Sequence, residues 1–415
     1  MYTDLQLNGY ELNTDSIADL NTDSNTNTDQ GSDTIENSDS NSESDSDSIV
    51  NRYLHIDGVL LKNRANKTVN LRGINLGGWL VTENWMCGIK DSTDTSGRFA
   101  LETLESRFGT EQANKLIETW RENFITTSDL DNIKDLGFNV IRVPFGFRNL
   151  QDGYGNWIRK QNNEIDFGWM DWIVNEAAKR DLYVLFDYHI WHGQQNNYDY
   201  ITCGPDEPQR QEERDASIEL LTEVINHYKG DGTVAALELI NEACGGTWGA
   251  IFLYDALRQA DPDRLFLIWG DPREDGRNWK NVFYGPHEYS LTGPAVNDDI
   301  LTINNNVEKI KEFQTDFNVP YFTGEFHVFT NNGNPSMTYL LEQYAINNIG
   351  WAKWMYKGVD NGAWAIVNIN NNTVDVDVEN DDYDIILKKW QSLKTAGTYQ
   401  STELKDILAT AAALK

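Results

Sequence analysis

The chain has 415 residues, a formal net charge of −31 and three cysteines, Cys87, Cys203 and Cys244. So acidic a chain has no basic surface that could displace counterions, which excludes nucleic acid and anionic membrane surfaces as partners. The sequence contains no run of 18 apolar residues and therefore predicts no transmembrane helix. Three cysteines cannot complete a disulfide framework, so we expect free or structural thiols, with one bridge as the alternative.

The first 50 residues differ in composition from the rest of the chain. They contain twelve acidic residues, no lysine or arginine, and few large apolar side chains. Such a segment cannot bury enough apolar surface to offset its ordering entropy, so we predict a disordered acidic tail over 1–50 and one folded domain over 51–415. We prefer a solvating role for the tail over metal binding by its aspartates. Its start lacks a basic n-region and an apolar h-region, so we do not expect a secretory signal.

From residue 51 the pattern becomes regular. Alternation at 52–61 and 68–72 predicts a hairpin with a polar turn at 62–67. Strand-like apolar runs follow at 69–76, 139–147, 183–189, 234–242, 265–270, 282–289, 320–326 and 351–357. Amphipathic stretches lie at 111–122, 130–136, 167–180, 217–228, 251–260, 307–317 and 337–346, and closing helices are predicted at 385–393 and 404–414. This alternation predicts an α/β fold, a (β/α)8 TIM barrel preceded by a short β-hairpin and the acidic tail.

Two glutamates lie at the ends of predicted strands. Glu242 ends LELINE at 237–242, and Glu325 lies in FTGEF at 322–326. Barrels of this type carry their active sites at the carboxyl ends of the strands, where two carboxylates are the minimum equipment for hydrolysing a glycosidic bond. A strand-end salt bridge is the alternative for either glutamate alone. The 12% aromatic content agrees with a cleft that stacks sugar rings, although any single tryptophan is more simply a core residue.

Seven segments in barrel order carry a resemblance to a known family. They are LRGINLGGWLVTENWM at 71–86, GFNVIRVPFGF at 137–147, LFDYHIWHGQQN at 185–196, LELINE at 237–242, YGPHEYS at 284–290, FTGEF at 322–326 and WAKWMYK at 351–357. Over residues 52–400 the chain resembles glycoside hydrolase family 5, most closely its exo-β-1,3-glucanase branch. The resemblance implies a retaining hydrolase that cleaves β-glucan or oligosaccharides by double displacement, without a metal or organic cofactor.

The resemblance implies roles for the central residues. Glu242 matches the acid/base, which protonates the leaving group and then deprotonates water. Glu325 matches the nucleophile, which attacks the anomeric carbon as a carboxylate. Arg142 matches a buried arginine that holds the nucleophile ionised and aligned, with a purely structural ion pair as the alternative.

Four further residues match polar positions around the same centre. Asn241 matches the asparagine that contacts the sugar 2-hydroxyl, and His189 matches the histidine of the third strand. His287 and Tyr289 match a His-x-Tyr pair on the sixth strand, where Tyr289 would donate a hydrogen bond to the nucleophile. A histidine at a strand end can also be an ordinary core residue, which is the alternative for His189 and for His287.

Two residues match the part of the site that holds the terminal sugar. Trp354 matches the eighth-strand tryptophan that forms the floor under the sugar at the cleavage point, and Trp351 competes with it because the strand register is uncertain. Glu83 matches a carboxylate that binds hydroxyls of the terminal sugar, with a solvated loop acid as the alternative.

Three segments depart from the family pattern: NEACGG after the fourth strand, IWHGQQN after the third, and MYK after the eighth. They leave linkage and chain-end preference open, with β-1,6-glucan, β-1,4-glucan and glucosylated lipids as further substrates. A glycan-binding barrel without activity is one alternative function. A metal-dependent hydrolase is another, but it is poorly supported because the strand ends lack clustered histidines and aspartates. We expect a monomer. The branch is usually secreted, which conflicts with the start of this sequence and leaves the cellular location open.

Overall fold

The structure is a computed structural model that describes residues 51–91, 98–192, 208–242, 247–269, 279–293, 295–329, 333–359, 364–369, 374–395, 398–399 and 401–414. The chain divides into two units after Ser42, and the second, Glu43–Lys415, contains every element below. The predicted tail, Cys203 and Cys244 lie outside the described residues, whereas Cys87 is a buried free thiol. In the described part of the chain no helix is long and apolar enough to cross a membrane.

Eight parallel strands form the centre of the fold. They are β1 (Arg72–Asn75), β2 (Val140–Gly146), β3 (Tyr183–Ile190), β4 (Val234–Glu238), β5 (Leu265–Ile268), β6 (Val282–Tyr284), β7 (Phe322–Thr323) and β8 (Gly350–Lys353). Each strand pairs with the next, and β8 pairs with β1. Parallel bridges from Tyr284 to Tyr321 and from Glu288 to Phe326 join β6 to the β7 segment and close the cylinder. The predicted (β/α)8 barrel is confirmed.

Helices fill most connections between the strands. They span Arg98–Phe108, Thr110–Phe124, Thr127–Asp135, Gly168–Lys179, Pro208–His227, Thr247–Ala260, Val296–Phe317 and Gly333–Ile346, with Tyr383–Gln391 and Thr402–Ala413 after β8. The predicted helices are therefore present, several starting earlier than expected. The sequence analysis did not predict two helices, Asn84–Cys87 and Arg98–Phe108. It also did not predict two small sheets outside the barrel. One pairs Lys357–Val359 with Val367–Ile369 and Thr398–Tyr399, and the other pairs Ile89–Lys90 with Val376–Asp377.

The N-terminal hairpin is present, but its predicted turn was wrong. Its antiparallel strands are Leu54–Asp57 and Leu60–Asn63, and Gly58 turns between them at a φ of 61°. Glycine reaches this left-handed region without a Cβ penalty, which makes Gly58 the better turn residue. The predicted turn at 62–67 forms a second bend, which is closed by a bridge from Lys62 to Thr68 and by a hydrogen bond from the Asn63 amide to the Lys67 carbonyl.

The hairpin closes the amino-terminal end of the barrel. Leu54 and Leu61 pack in one apolar cluster with barrel residues such as Val140, Leu185 and Phe283. Strands β2 and β4 are buried along their whole length because the barrel interior covers one face and the helices cover the other. With one end closed by apolar packing, polar side chains collect at the carboxyl ends of the strands.

Candidate active site

The site is organised around Arg142, which lies on β2 and is fully buried. Its guanidinium donates hydrogen bonds of 2.6–3.0 Å to four side chains, Asn75, Glu238, Asn241 and Glu325, and forms an ion pair with Asp187 at 3.0 Å. Burial alone would lower the pKa of Arg142, but the three carboxylates raise it well above its ordinary value. The arginine therefore stays charged and fixes one oxygen of each partner, as a planar fork of donors can.

Glu325 follows β7 and is held at both oxygens. Arg142 donates to Oε1 at 2.6 Å, and the Tyr289 hydroxyl donates to Oε2 at 2.7 Å. Burial and the charge of Glu325 raise the pKa of Tyr289 well above its usual value, so the phenol keeps the proton that it donates. With one donor on each oxygen, the direction of this carboxylate is fixed.

Glu242 follows β4 and faces Glu325. Its side chain is 46% exposed, against 7% for Glu325, so the two carboxylates lie in different environments. Carboxylate oxygens of the two residues lie within 4.8 Å of each other. Glu242 adopts a φ of 42°, a left-handed conformation that costs a non-glycine residue on the order of 1–3 kcal/mol and occurs often at functional sites.

His287 lies between the two glutamates. Its Nδ1 is 2.7 Å from Glu242 Oε1 and 3.4 Å from Glu325 Oε2. Burial would lower the pKa of His287, but the charge of Glu325 and the hydrogen bond with Glu242 raise it. Burial would likewise raise the pKa of Glu242, whereas the His287 hydrogen bond and the positive charges nearby lower it to about 2. Within this hydrogen-bonded pair each group shifts the other, so that the pKa of His287 is raised and the pKa of Glu242 is lowered.

A second group of side chains lies beside the pair, at the ends of β1, β3 and β8. His189 Nδ1 is 2.6 Å from Asp187, and its Nε2 is 3.5 Å from Glu83. Burial would lower the pKa of His189, but Asp187 and Glu83 raise it well above the ordinary value. The Trp354 ring lies nearly parallel to the His189 ring, with centroids 5.9 Å apart.

The structure brings all nine predicted site residues into this one network. Trp354 rather than Trp351 belongs to it, because the Trp351 ring is fully buried between Phe138 and Phe326. Trp354 contacts the site through His189, and its peptide bond to Met355 is cis.

Four residues of the network were missed by the sequence analysis. Asp187 and Glu238 form ion pairs with Arg142, and Asn75 accepts a hydrogen bond from it. The fourth residue, Lys353, donates to the main-chain oxygens of Trp354 and Trp364 at 2.8 and 2.7 Å. Strand alternation would have found Asp187, which precedes His189 by two residues and shares its face. Lys353 gave no such signal, since a lysine within an apolar run reads as an exposed position; burial lowers its pKa to about 7.

Two groups of three described side chains have donor atoms close enough to hold a metal ion: Asp187, His189 and Glu325, and Glu242, His287 and Glu325. Both use Glu325, whose Oε1 already accepts from Arg142. A cation bound there would be repelled by the positive guanidinium at short range. Each group contains a histidine hydrogen-bonded to a carboxylate, an arrangement that suits proton transfer better than metal binding. The absence of a metal requirement stays a prediction.

Comparison with known proteins agrees with this fold. The family model described as cellulase (glycosyl hydrolase family 5) matches residues 102–360. A β-xylosidase of Phanerodontia chrysosporium is 25% identical over 359 residues, covering 77% of this chain and 74% of the relative. A probable glucan 1,3-beta-glucosidase A of Aspergillus niger is 32% identical over 178 residues, covering 42% of each chain, and glucan 1,3-beta-glucosidase 1 of Schizosaccharomyces pombe is 30% identical over 208 residues, covering 48% of each.

Solved structures share the barrel. An endocellulase from Pyrococcus horikoshii, solved with cellotetraose, has 16% identity and a TM-score of 0.50, covering 82% of this chain and 98% of that one. A cellulose synthase subunit Z from Clostridioides difficile has 18% identity and a TM-score of 0.50, covering 78% and 99%. Barrel and polar network together define a glycosidase-type barrel enzyme. The family model covers more than half of the chain, which therefore belongs to glycosyl hydrolase family 5.

Proposed function

We propose that this chain is a retaining exo-β-1,3-glucanase, which releases glucose from β-glucan by double displacement. The observation that carries the proposal is that carboxylate oxygens of Glu242 and Glu325 lie within 4.8 Å of each other. Retaining enzymes hold their carboxyl groups about 5–5.5 Å apart, whereas inverting enzymes need roughly 6.5–9.5 Å to admit a water. The resemblance to the exo-β-1,3-glucanase branch and the glucan 1,3-beta-glucosidases among its relatives support the linkage.

The first step uses Glu325 as nucleophile. Arg142 and Tyr289 keep it ionised and aimed, so that an oxygen attacks the anomeric carbon while Glu242 protonates the departing oxygen. The bond from the anomeric carbon to the glycosidic oxygen breaks, and the sugar stays bound to Glu325 as an ester. In the second step Glu242 takes a proton from water, which attacks the same carbon and releases a product of retained β configuration.

The neighbouring residues hold the sugar. The Oδ1 of Asn241 is fixed by Arg142, so its amide group is directed to donate to the 2-hydroxyl, where a hydrogen bond strengthens in the transition state. Trp354 provides an apolar floor for the ring, and Glu83 with His189 provides acceptors and donors for its hydroxyls. No step in this scheme needs a metal or an organic cofactor.

The stereochemical course tests the proposal. Laminaritriose hydrolysis followed by proton NMR in the first minutes should show the β-anomer of glucose before mutarotation. Early α-anomer would identify an inverting enzyme and remove Glu325 from the nucleophile role. A parallel panel of β-1,3-, β-1,4- and β-1,6-linked glucose disaccharides should show the highest kcat/KM for the β-1,3 linkage.

A β-xyloside is the second candidate substrate. It is favoured by the Phanerodontia relative, whose alignment covers most of both chains, while the alignments to the two glucan 1,3-beta-glucosidases cover less than half of each. Xylose lacks the hydroxymethyl group of glucose, so the same catalytic pair would serve either sugar. The ratio of kcat/KM for 4-nitrophenyl β-glucoside and β-xyloside decides between them.

Replacing Glu242 by alanine should slow hydrolysis by a factor that depends on the leaving group of the substrate. Loss of a general acid costs roughly 10²- to 10⁴-fold. We expect this loss in the first step for laminaribiose, whereas 2,4-dinitrophenyl β-glucoside, whose leaving group needs no proton, should still form the glycosyl-enzyme in a rapid burst. An equal loss of the first step with both substrates would show that Glu242 is not the acid.

Replacing His287 by asparagine should move the alkaline limb of the pH profile. In the native site we expect the pair of His287 and Glu242 to hold the essential proton, and the pKa of His287 is raised above the ordinary value of about 6.5, so kcat/KM should fall only above that pH. Without His287 the proton must stay on Glu242, whose own pKa then rises toward the ordinary carboxyl value, and the alkaline limb should shift to lower pH. The matched control is His227→Asn, a histidine paired with Asp171 away from the site, which should leave the profile unchanged.

A further inference from the structure

A continuous row of aromatic side chains joins the segments after β1, β6, β7 and β8; we name it the aromatic wall, made of Trp85, Tyr289, His327, Phe329 and Trp364. The Trp364 ring is its centre. Its centroid lies 5.2 Å from Trp85, 4.8 Å from His327, 4.8 Å from Phe329 and 5.7 Å from Tyr289. The wall therefore links four separate segments at the mouth of the barrel.

The wall is fastened to the barrel at several points. The main-chain oxygen of Trp364 accepts from Lys353, which is fully buried on β8, and from the Met355 amide at 3.0 Å. At one end Tyr289 donates to Glu325, and at the other the Trp85 indole N–H donates to Glu83. Aromatic rings in edge-to-face, tilted and stacked contact, tied to strand ends by hydrogen bonds, form a fixed boundary.

The position of the aromatic wall relative to Glu242 indicates which side of the bound sugar the wall faces. In an eight-stranded barrel β4 lies opposite β8, so the segments that carry Glu242 and Trp364 start from opposite sides of the barrel mouth. The acid protonates the leaving oxygen, so the departing part of the chain lies on the β4 side, where the Glu242 side chain is 46% exposed. The sugar that reacts lies over Trp354, and a further sugar on its non-reducing side would have to pass through the wall.

We propose that the contact between Trp85 and Trp364 closes the non-reducing side of the site and restricts the enzyme to the ends of its substrate. This inference rests on the proposed function and names the residues that determine chain-end selection. Trp85 is 43% exposed and Phe329 is 39% exposed, which places the rim of the wall at the surface. Shortening either tryptophan to alanine removes the ring from the contact and opens a path for a second glycosyl unit.

The test uses two chromogenic probes, 4-nitrophenyl β-glucoside and 4-nitrophenyl β-laminaribioside. Direct cleavage of the second probe at its aryl bond requires a sugar beyond the reacting one. The wild type should release nitrophenol from it only after a lag, because glucose must be removed first. Trp85→Ala and Trp364→Ala should release nitrophenol without a lag, together with laminaribiose, and should raise the ratio of direct laminaribioside to glucoside cleavage at least about tenfold, the change that 1.4 kcal/mol corresponds to.

The control variant is Trp279→Ala, which shortens a tryptophan that packs on Tyr254 before β6, at the other end of the barrel. It should keep the lag and the wild-type glucoside activity. Immediate release of laminaribiose by the wild type would overturn the inference while leaving the hydrolase proposal standing, and so would a lag that persists in both wall variants while they still cleave the glucoside. Absence of activity in the wild type on every β-glycoside would instead reject the proposed function, and the inference with it.

Discussion

Replacing Glu325 by alanine should lower kcat on β-glucosides by at least roughly 10⁴-fold, because removal of an enzyme nucleophile reduces kcat by factors of this size. The fold should persist, because Arg142 keeps Asp187 and Glu238 as charge partners. Steady-state kinetics and thermal melting measure the two effects separately. Wild-type-like activity in this variant would remove Glu325 from the nucleophile role.

Azide gives a sharper test of the same assignment. A small anion can occupy the space left by the carboxylate and attack the anomeric carbon, so azide should restore turnover of an activated aryl glucoside and yield a glycosyl azide of inverted α configuration. The matched control is Glu288→Ala. Glu288 follows β6 beside the site, but its carboxylate accepts from Ser290 and Asn306, so this variant should retain activity and show no azide dependence.

Replacing Arg142 by methionine should reduce both activity and stability. Methionine keeps much of the side-chain volume but leaves Asp187, Glu238 and Glu325 without their shared cation. Breaking a buried ion pair by removing one partner costs about 3–5 kcal/mol in the free energy of unfolding. Urea denaturation should show this loss, and kcat should fall because Glu325 loses the donor that aligns its carboxylate.

The stability loss in Arg142→Met should depend on pH in a defined direction. Glu238 already has a pKa raised to about 7, mainly by burial, with the charge of Asp187 adding to it and Arg142 opposing it. A carboxyl group whose pKa is raised by folding stabilises below its unfolded pKa and loses that contribution as the pH rises through the folded value. Without Arg142 the pKa of Glu238 rises further, so the deficit should be larger near pH 8 than near about pH 5. The control variant Arg148→Met removes the guanidinium that pairs with the partly exposed Glu105, and it should show a small loss that hardly changes with pH.

The sequence alone determined the barrel and the placement of Glu242 and Glu325 at its strand ends. Apolar runs such as 139–147 and 183–189 are local signals, because strands buried on both faces need consecutive apolar residues whatever their neighbours are. The position of Glu242 and Glu325 directly after such runs was equally local, since the strand ends of a barrel share one edge. The hairpin turn failed because Gly58 and the polar stretch at 62–67 are both good turn sequences, and only the pairing of Leu54 with Asn63 chose between them.

The tertiary structure decided which side chains share a proton, a charge or a surface. His287 and Glu242 are 45 residues apart, and their 2.7 Å contact, which lowers the pKa of one and raises that of the other, follows from the curvature of the barrel. The same holds for the choice of Trp354 over Trp351 and for the contact of Trp85 with Trp364, which joins segments 279 residues apart. Periodicity reports the face on which a residue lies, whereas these properties depend on distances of a few ångströms between strands, which closure of the barrel sets.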